Sequence, residues 1–175
     1  MSELRGIYTL WLREVKRYAR EKTRLVSSFI QPLLWLVIFG SGMRLAATGI
    51  GGMSYQSFLF PGIVCQTLLF TSIFMGISVI WDREFGFLKE ILVAPVSRAS
   101  VFVGKMLGGS TDAVIQGSFV FVYSFIVAVR VGLDTFLLSL PVMLLITFGM
   151  VSVGLTIASM LESLESFGLI QTFVN

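Results

Sequence analysis

The side chains that could do chemistry in this sequence are few, and their types limit what that chemistry can be. There is no histidine and a single cysteine, Cys65, which sits in the apolar stretch LFPGIVCQTLLF of residues 59–70. Without imidazole, proton relays, Ser/His/Asp triads, Cys/His pairs and most zinc or haem sites are excluded. A lone thiol among apolar neighbours is disfavoured as a thiolate, so Cys65 reads as a packing residue. Gly104–Lys105 has the ending of a phosphate-binding loop. That loop needs a glycine five residues before the Gly-Lys pair and Ser or Thr after it, and Ala99 and Met106 stand there instead. No catalytic, cofactor-binding or metal-ligating residue is expected, and the chain is read as a non-enzyme.

What remains is polar chemistry inside apolar runs. Asp112 is the one carboxylate in the third apolar segment, where an ionised group is costly and commonly functional. If that segment enters the membrane near Val101, Asp112 lies well inside. If it enters near Ala113, Asp112 is a solvated acid at a helix start, and this second reading is preferred. Gln31, Gln66 and Gln116 are the remaining in-span polar groups, and an amide between helices ordinarily bonds a neighbouring helix. Gly104 and Gly108 form a GxxxG spacing around Lys105, read as a packing contact at the membrane boundary rather than a dimer seam.

One charged island breaks the apolar sequence after its start: WDREFGFLKEILVAPVSRASVFVGK, residues 81–105. Within it Phe85, Leu88, Ile91 and Leu92 share one side of a short helix, and Arg83, Glu84, Lys89 and Glu90 are largely polar. Pro95 ends that helix, because the residue before a proline avoids helical geometry. Such an amphipathic helix must bury its apolar edge against the membrane or in a groove on a soluble partner.

The elements that position these groups follow from composition. Of the 175 residues 55% are hydrophobic and only 13% charged, with 16 Phe, 3 Trp and 4 Tyr. A soluble domain of this size could not hide that much apolar surface, so an all-α polytopic membrane protein is expected. Residues 1–24 read as an amphipathic helix in the headgroup plane, with Leu4, Ile7, Tyr8, Trp11, Val15, Tyr18 and Ala19 at helical spacing and Arg13, Lys16, Arg17 and Arg20 between them. The transmembrane domain is residues 25–175, with spans near 25–43, 57–81, 103–129 and 135–161. An incomplete fifth span, 167–175, follows, and the loop 82–100 separates the second and third.

Seven Lys/Arg lie in the first 24 residues, and Arg83, Lys89, Arg98 and Lys105 follow the second span, against only Arg44 and Arg130 elsewhere. The positive-inside rule puts the N-terminus and the loop 82–100 in the cytoplasm of a multi-pass plasma-membrane protein. The net charge of +3 is thus topological and gives no reason to expect nucleic acid.

In order and spacing, Glu84, Gly86, Leu88, Ile91, Pro95, Arg98 and Gly104–Lys105 resemble the pattern that follows the second span in permeases of type-2 ATP-binding-cassette exporters. Residues 59–70 also resemble that family's second span. Lys89 stands where many members carry an acid, with Glu90 adjacent. The resemblance implies a permease subunit that moves a drug, lipid or glycan outward and homodimerises or pairs with a sister permease. It also implies that a separate ATPase subunit docks on Glu84, Gly86, Leu88, Lys89, Glu90 and Pro95. Six spans are usual there, so this chain looks like the N-terminal two-thirds. The competing readings are a stand-alone secondary transporter, for which paired intramembrane charges and repeats are lacking, and a scaffold or truncated permease without transport activity.

Overall fold

The computed structural model describes residues 3–42, 55–87, 91, 93, 96–126, 129, 131–161, 165–166 and 168, and every element among them is helical. The helices are α1 (Glu3–Arg20), α2 (Lys22–Gly42), α3 (Tyr55–Phe74), α4 (Ile77–Glu84), α5 (Arg98–Ile126) and α6 (Leu133–Met160). Among the described residues two stretches are long and apolar enough to cross a membrane: Tyr55–Glu84, which joins α3 to α4, and Leu133–Met160. At 1.5 Å per residue their 30 and 28 residues extend about 45 and 42 Å, enough for a ~30 Å hydrocarbon core. The expected fifth span lies almost wholly outside the described residues.

The core forms where α2, α3, α5 and α6 meet. Leu36, Phe60, Ile63, Val64, Leu68, Ala113, Val120, Phe121 and Met143 are buried together there. Phe121 packs edge-on against Phe60 at 5.2 Å and against Phe136 at 5.0 Å between ring centroids, the offset geometry that the ring quadrupole favours. Helix α2 runs through Pro32 without interruption. Pro32 supplies no N–H to the ladder, and three residues earlier the Phe29 carbonyl accepts a 2.6 Å hydrogen bond from the Tyr123 hydroxyl, tying α2 to α5.

Between α3 and α4 the chain tightens. The N–H groups of Met75, Gly76, Ser78 and Val79 each bond the carbonyl three residues back, which is 3₁₀ geometry inside a span. Helix α6 comes closest at this turn. A Cβ on Gly154 would stand 2.8 Å from the Ile73 carbonyl oxygen, so only glycine allows the two backbones this approach.

Helix α1 exposes part of its apolar face, Leu4 at 77% and Tyr8 at 58%, and buries Tyr18 of that face together with Gly6, Leu10 and Glu14. The reason lies on α5, whose Gly104 and Gly108 leave a groove. Cβ atoms there would stand 2.7 Å from Leu10 Cβ and 2.5 Å from Glu14 Cβ. Helix α1 lies in that groove, and the i, i+4 stripe facing it is the buried one. Leu4 and Tyr8 are left on the outer, exposed side. The helix also ends at Arg20 rather than residue 24, and α2 begins at Lys22.

Candidate functional site

The seam between α1 and α5 carries a buried ionic cluster that roots the loop 82–100. Asp82 stands in the last turn of α4 and Lys105 two turns into α5. Their Nζ–Oδ2 separation is 2.5 Å, and Nζ is also 3.3 Å from Glu14 Oε1 and 3.5 Å from Ser78 Oγ. Asp82 accepts a second hydrogen bond, 2.9 Å, from Arg13. Arg17 lies 3.8 Å from Glu14 and 3.1 Å from Glu21, with its guanidinium 5.3 Å from the centre of the Trp81 ring. Glu14, Asp82 and Glu21 thus face Lys105, Arg13 and Arg17, and the charges sum to zero. Exposures of 1% for Glu14, 3% for Asp82 and 2% for Lys105 keep water out. Buried charges persist only when paired in this way.

The next residue reaches the other way. Arg83 donates to the Leu161 carbonyl at 2.8 Å and the Ser159 carbonyl at 3.2 Å. It thereby serves carbonyls that the end of α6 leaves without intrahelical donors. Two consecutive side chains therefore bind the root of the loop to α1, α5 and α6. Helix α4 then ends on Gly86, whose φ of +78° is a left-handed conformation natural to glycine. Phe85 is 72% exposed, Phe87 50% and Val93 85%, so the loop presents bare apolar side chains.

At the far end of the loop, Ser97 caps α5: its hydroxyl accepts the Ser100 N–H at 3.1 Å. Glu3 of α1 closes this corner, accepting hydrogen bonds from the Ser97 N–H, the Ser97 hydroxyl and the Ser100 hydroxyl. The Ser100 hydroxyl first, and then Ser97, hold the Glu3 carboxyl below its ordinary 4.5. A depressed carboxylate contributes stability that is fully present above its unfolded pKa and is lost as pH falls through the lowered value. Hydrogen exchange of the first turns of α1 in lipid nanodiscs, from about pH 6 down to about pH 3.5, is expected to show protection falling only at the acid end. Glu3→Gln is expected to remove that acid step; an identical step in the variant would assign it to another group.

Of the expected docking residues, Glu84 is exposed at the last position of α4 and Gly86 forms the turn after it. Leu88, Lys89, Glu90 and Pro95 lie outside the described residues. Asp112 is neither solvated nor at a helix start: it is 1% exposed in the middle of the unbroken α5. Helix α5 begins at Arg98, about 21 Å before Asp112 along the axis, because Ser97 caps it there. Gln116 is buried, and its Oε1 accepts a 2.8 Å hydrogen bond from Thr71. Lys105, counted in sequence as a topological charge, is wholly enclosed. Glu14 and Asp82 were not singled out at all. One available signal was an acid at the Gly6–Leu10–Glu14–Tyr18 spacing inside a basic helix, opposite a lysine between two glycines.

The sequence model of the ABC-2 type transporter family matches residues 5–175. The chain is similar to ycf38 of Cyanophora paradoxa, with 28% identity over 91% of this chain and 57% of that protein. It is also similar to the inner membrane transport permease YadH of Escherichia coli, 25% identical over 97% of this chain and 66% of the relative. Nodulation protein J of Rhizobium leguminosarum is 26% identical over 86% of this chain and 58% of its own length. The chain thus spans between about half and two-thirds of the length of these relatives. No solved structure matches it.

Proposed function

The chain belongs to the ABC-2 type transporter family, and on that premise we propose that it is the membrane subunit of an ATP-driven exporter. It moves a drug, lipid or glycan out of the cytoplasm, with ATP hydrolysed on a separate subunit. That ATPase docks on the loop 82–100 through Glu84, Gly86, Leu88, Lys89, Glu90 and Pro95. The N-terminus and the loop face the cytoplasm of the plasma membrane, and the subunit works as a homodimer or beside a sister permease. The names of the relatives as transport permeases support the class of function.

The observation that carries the coupling part of this reading is the anchoring of Asp82 and Arg83. A force reaching Asp82 would pass to α1 and α5 through Arg13 and Lys105, and one reaching Arg83 would pass to α6. The exposed Phe85, Phe87 and Val93 give a partner an apolar surface to bury. ATP-dependent closure of the partner would then bias the spans between inward- and outward-open arrangements, by binding the two arrangements unequally.

The test is co-purification of the permease with a co-expressed ATP-binding-cassette ATPase from the same organism, in wild type and in a Glu84→Lys/Glu90→Lys variant. Retention by the wild type and loss by the variant, with both forms equally monodisperse in detergent, is the expected result. A well-folded wild type that retains no ATPase would overturn the proposal.

A further inference from the structure

The three in-span glutamines, distant in sequence, converge. Gln31 and Trp35 on α2, Gln66, Thr67 and Thr71 on α3, and Gln116 on α5 line one narrow cleft among apolar neighbours. Its lining contains no charged residue. The innermost pair is committed, since Thr71 donates to Gln116 Oε1 at 2.8 Å. Thr67 spends its proton on the Ile63 carbonyl at 2.8 Å, leaving its oxygen lone pairs as acceptors. Toward the mouth, Gln66 is half-buried and Gln31 exposed, and neither side chain has a hydrogen-bond partner among the described residues.

Gln31 stands out on its own helix. Around it α2 exposes Val26, Ile30, Leu34, Val37 and Ile38. An amide turned to hydrocarbon without a partner costs several kcal/mol on the order of a lost hydrogen bond and its desolvation. Two such amides on adjacent helices, at one opening, beside the half-exposed face of Trp35, form a donor-and-acceptor site with an aromatic wall. A structural amide cluster would satisfy itself, as Gln116 and Thr71 do.

Resting on the exporter reading above, we infer that this cleft is a subsite for an uncharged hydrogen-bonding group of the transported molecule, a hydroxyl or carboxamide carried on an apolar body. Amides supply both N–H donors and carbonyl acceptors and so suit a group that both gives and takes hydrogen bonds. An ionised group would be stripped of water with no counter-charge in the lining. The narrowness of the cleft admits one such group, and the apolar flank of α2 accepts the rest.

The experiment uses the full-length permease with its ATPase in lipid nanodiscs. Octyl glucoside, octanoate and octylammonium, one neutral, one anionic and one cationic amphiphile of equal chain length, are titrated below their micellar range. Tryptophan emission is followed, with Trp35→Phe identifying the signal of Trp35. The neutral probe is expected to give a saturable change that the ionic probes do not. Gln31→Leu/Gln66→Leu, which leaves the Thr71–Gln116 bond in place, is expected to weaken it roughly tenfold, as for one lost hydrogen bond. An equal response to all three probes, or an unchanged response in the variant, overturns the subsite. So does a variant that changes oligomeric state with the probe response intact, which would assign the amides to a contact with a second copy of the chain. Loss of the ATPase during purification is a separate outcome: it defeats the exporter reading, whereas a retained ATPase with no neutral-probe response defeats only the subsite.

Discussion

Lys105→Met is expected to destabilise the protein by about 3–5 kcal/mol, the cost of breaking a buried ion pair from one side. The lysine is 2% exposed and lies between Asp82 and Glu14. Without it two buried carboxylates share one cavity. Arg13 still bonds Asp82, but its side chain is 36% exposed and reaches only the outer oxygen. In a chain of this size the loss corresponds to a melting shift on the order of 10 °C, measurable by fluorescence-detected gel filtration after heating. Lys105→Arg is expected to fare little better, because a rigid planar fork does not fit a hole shaped for a point charge. The decisive companion is Glu14→Gln/Asp82→Asn/Lys105→Met, which removes the three most buried charges together and leaves Arg13 and Arg17, both partly exposed, with Glu21. Neutral replacement of buried charges is often tolerated, so the triple variant is expected to recover much of the lost stability. On the proposed exporter reading it should nevertheless lose coupling between ATP hydrolysis and transport, since Asp82 would no longer be tied ionically to α1 and α5. If Lys105→Met melts with the wild type, the ionic cluster does not hold α1, α4 and α5 together.

The all-helical class was readable from sequence because apolar run length is a strong signal. Helices α3 with α4, α5 and α6 fall on the apolar runs near 57–81, 103–129 and 135–161, and Tyr55–Glu84 and Leu133–Met160 are long and apolar enough to cross a membrane. The protein-facing stripe of α1 was not readable. Periodicity weighs side chains by hydrophobicity, and it grouped Leu4 and Tyr8 on a face turned to the headgroup plane. In the structure the buried stripe begins with a glycine and includes a glutamate, Gly6 and Glu14, neither of which scores as apolar. Their burial follows from a partner surface, the glycine groove on α5 and the lysine within it, which no local window contains. Asp112 was misjudged for a related reason. The start of α5 is set by the Ser97 cap, not by where hydrophobicity rises, so the acid falls in mid-helix. The convergence of Gln31, Gln66 and Gln116 was likewise invisible, because it depends on how three helices are rotated against one another.

The glycine groove yields the second large effect. Gly104→Ala/Gly108→Ala is expected to detach α1 from α5. Alanine is the better helix former, and each replacement alone would gain about 0.5–1 kcal/mol in an unobstructed helix. Here it is obstructed. The new methyl at 104 would stand 2.7 Å from Leu10 Cβ and 3.1 Å from the Ile7 carbonyl oxygen, and the one at 108 would stand 2.5 Å from Glu14 Cβ. Those are backbone or first side-chain atoms, which cannot swing aside, so relief requires the whole of α1 to retreat. Overpacking of this kind costs about 1–3 kcal/mol at each site and outweighs the propensity gain. The retreat also draws Glu14 away from Lys105 and Trp11 away from Thr111, now 3.3 and 3.0 Å apart. Trypsin cleavage within α1 in nanodiscs reads this directly: slow in the wild type, fast in the double variant. Gly62→Ala and Gly149→Ala are the controls, because nothing lies within 4 Å of a Cβ at either position, and both are expected to leave α1 as protected as before. Protection of the double variant equal to that of the controls would mean that α1 rides loosely on α5. A loose α1 could not carry force from Asp82, and on the proposed reading the loop would then be left with Arg83 and α6 alone.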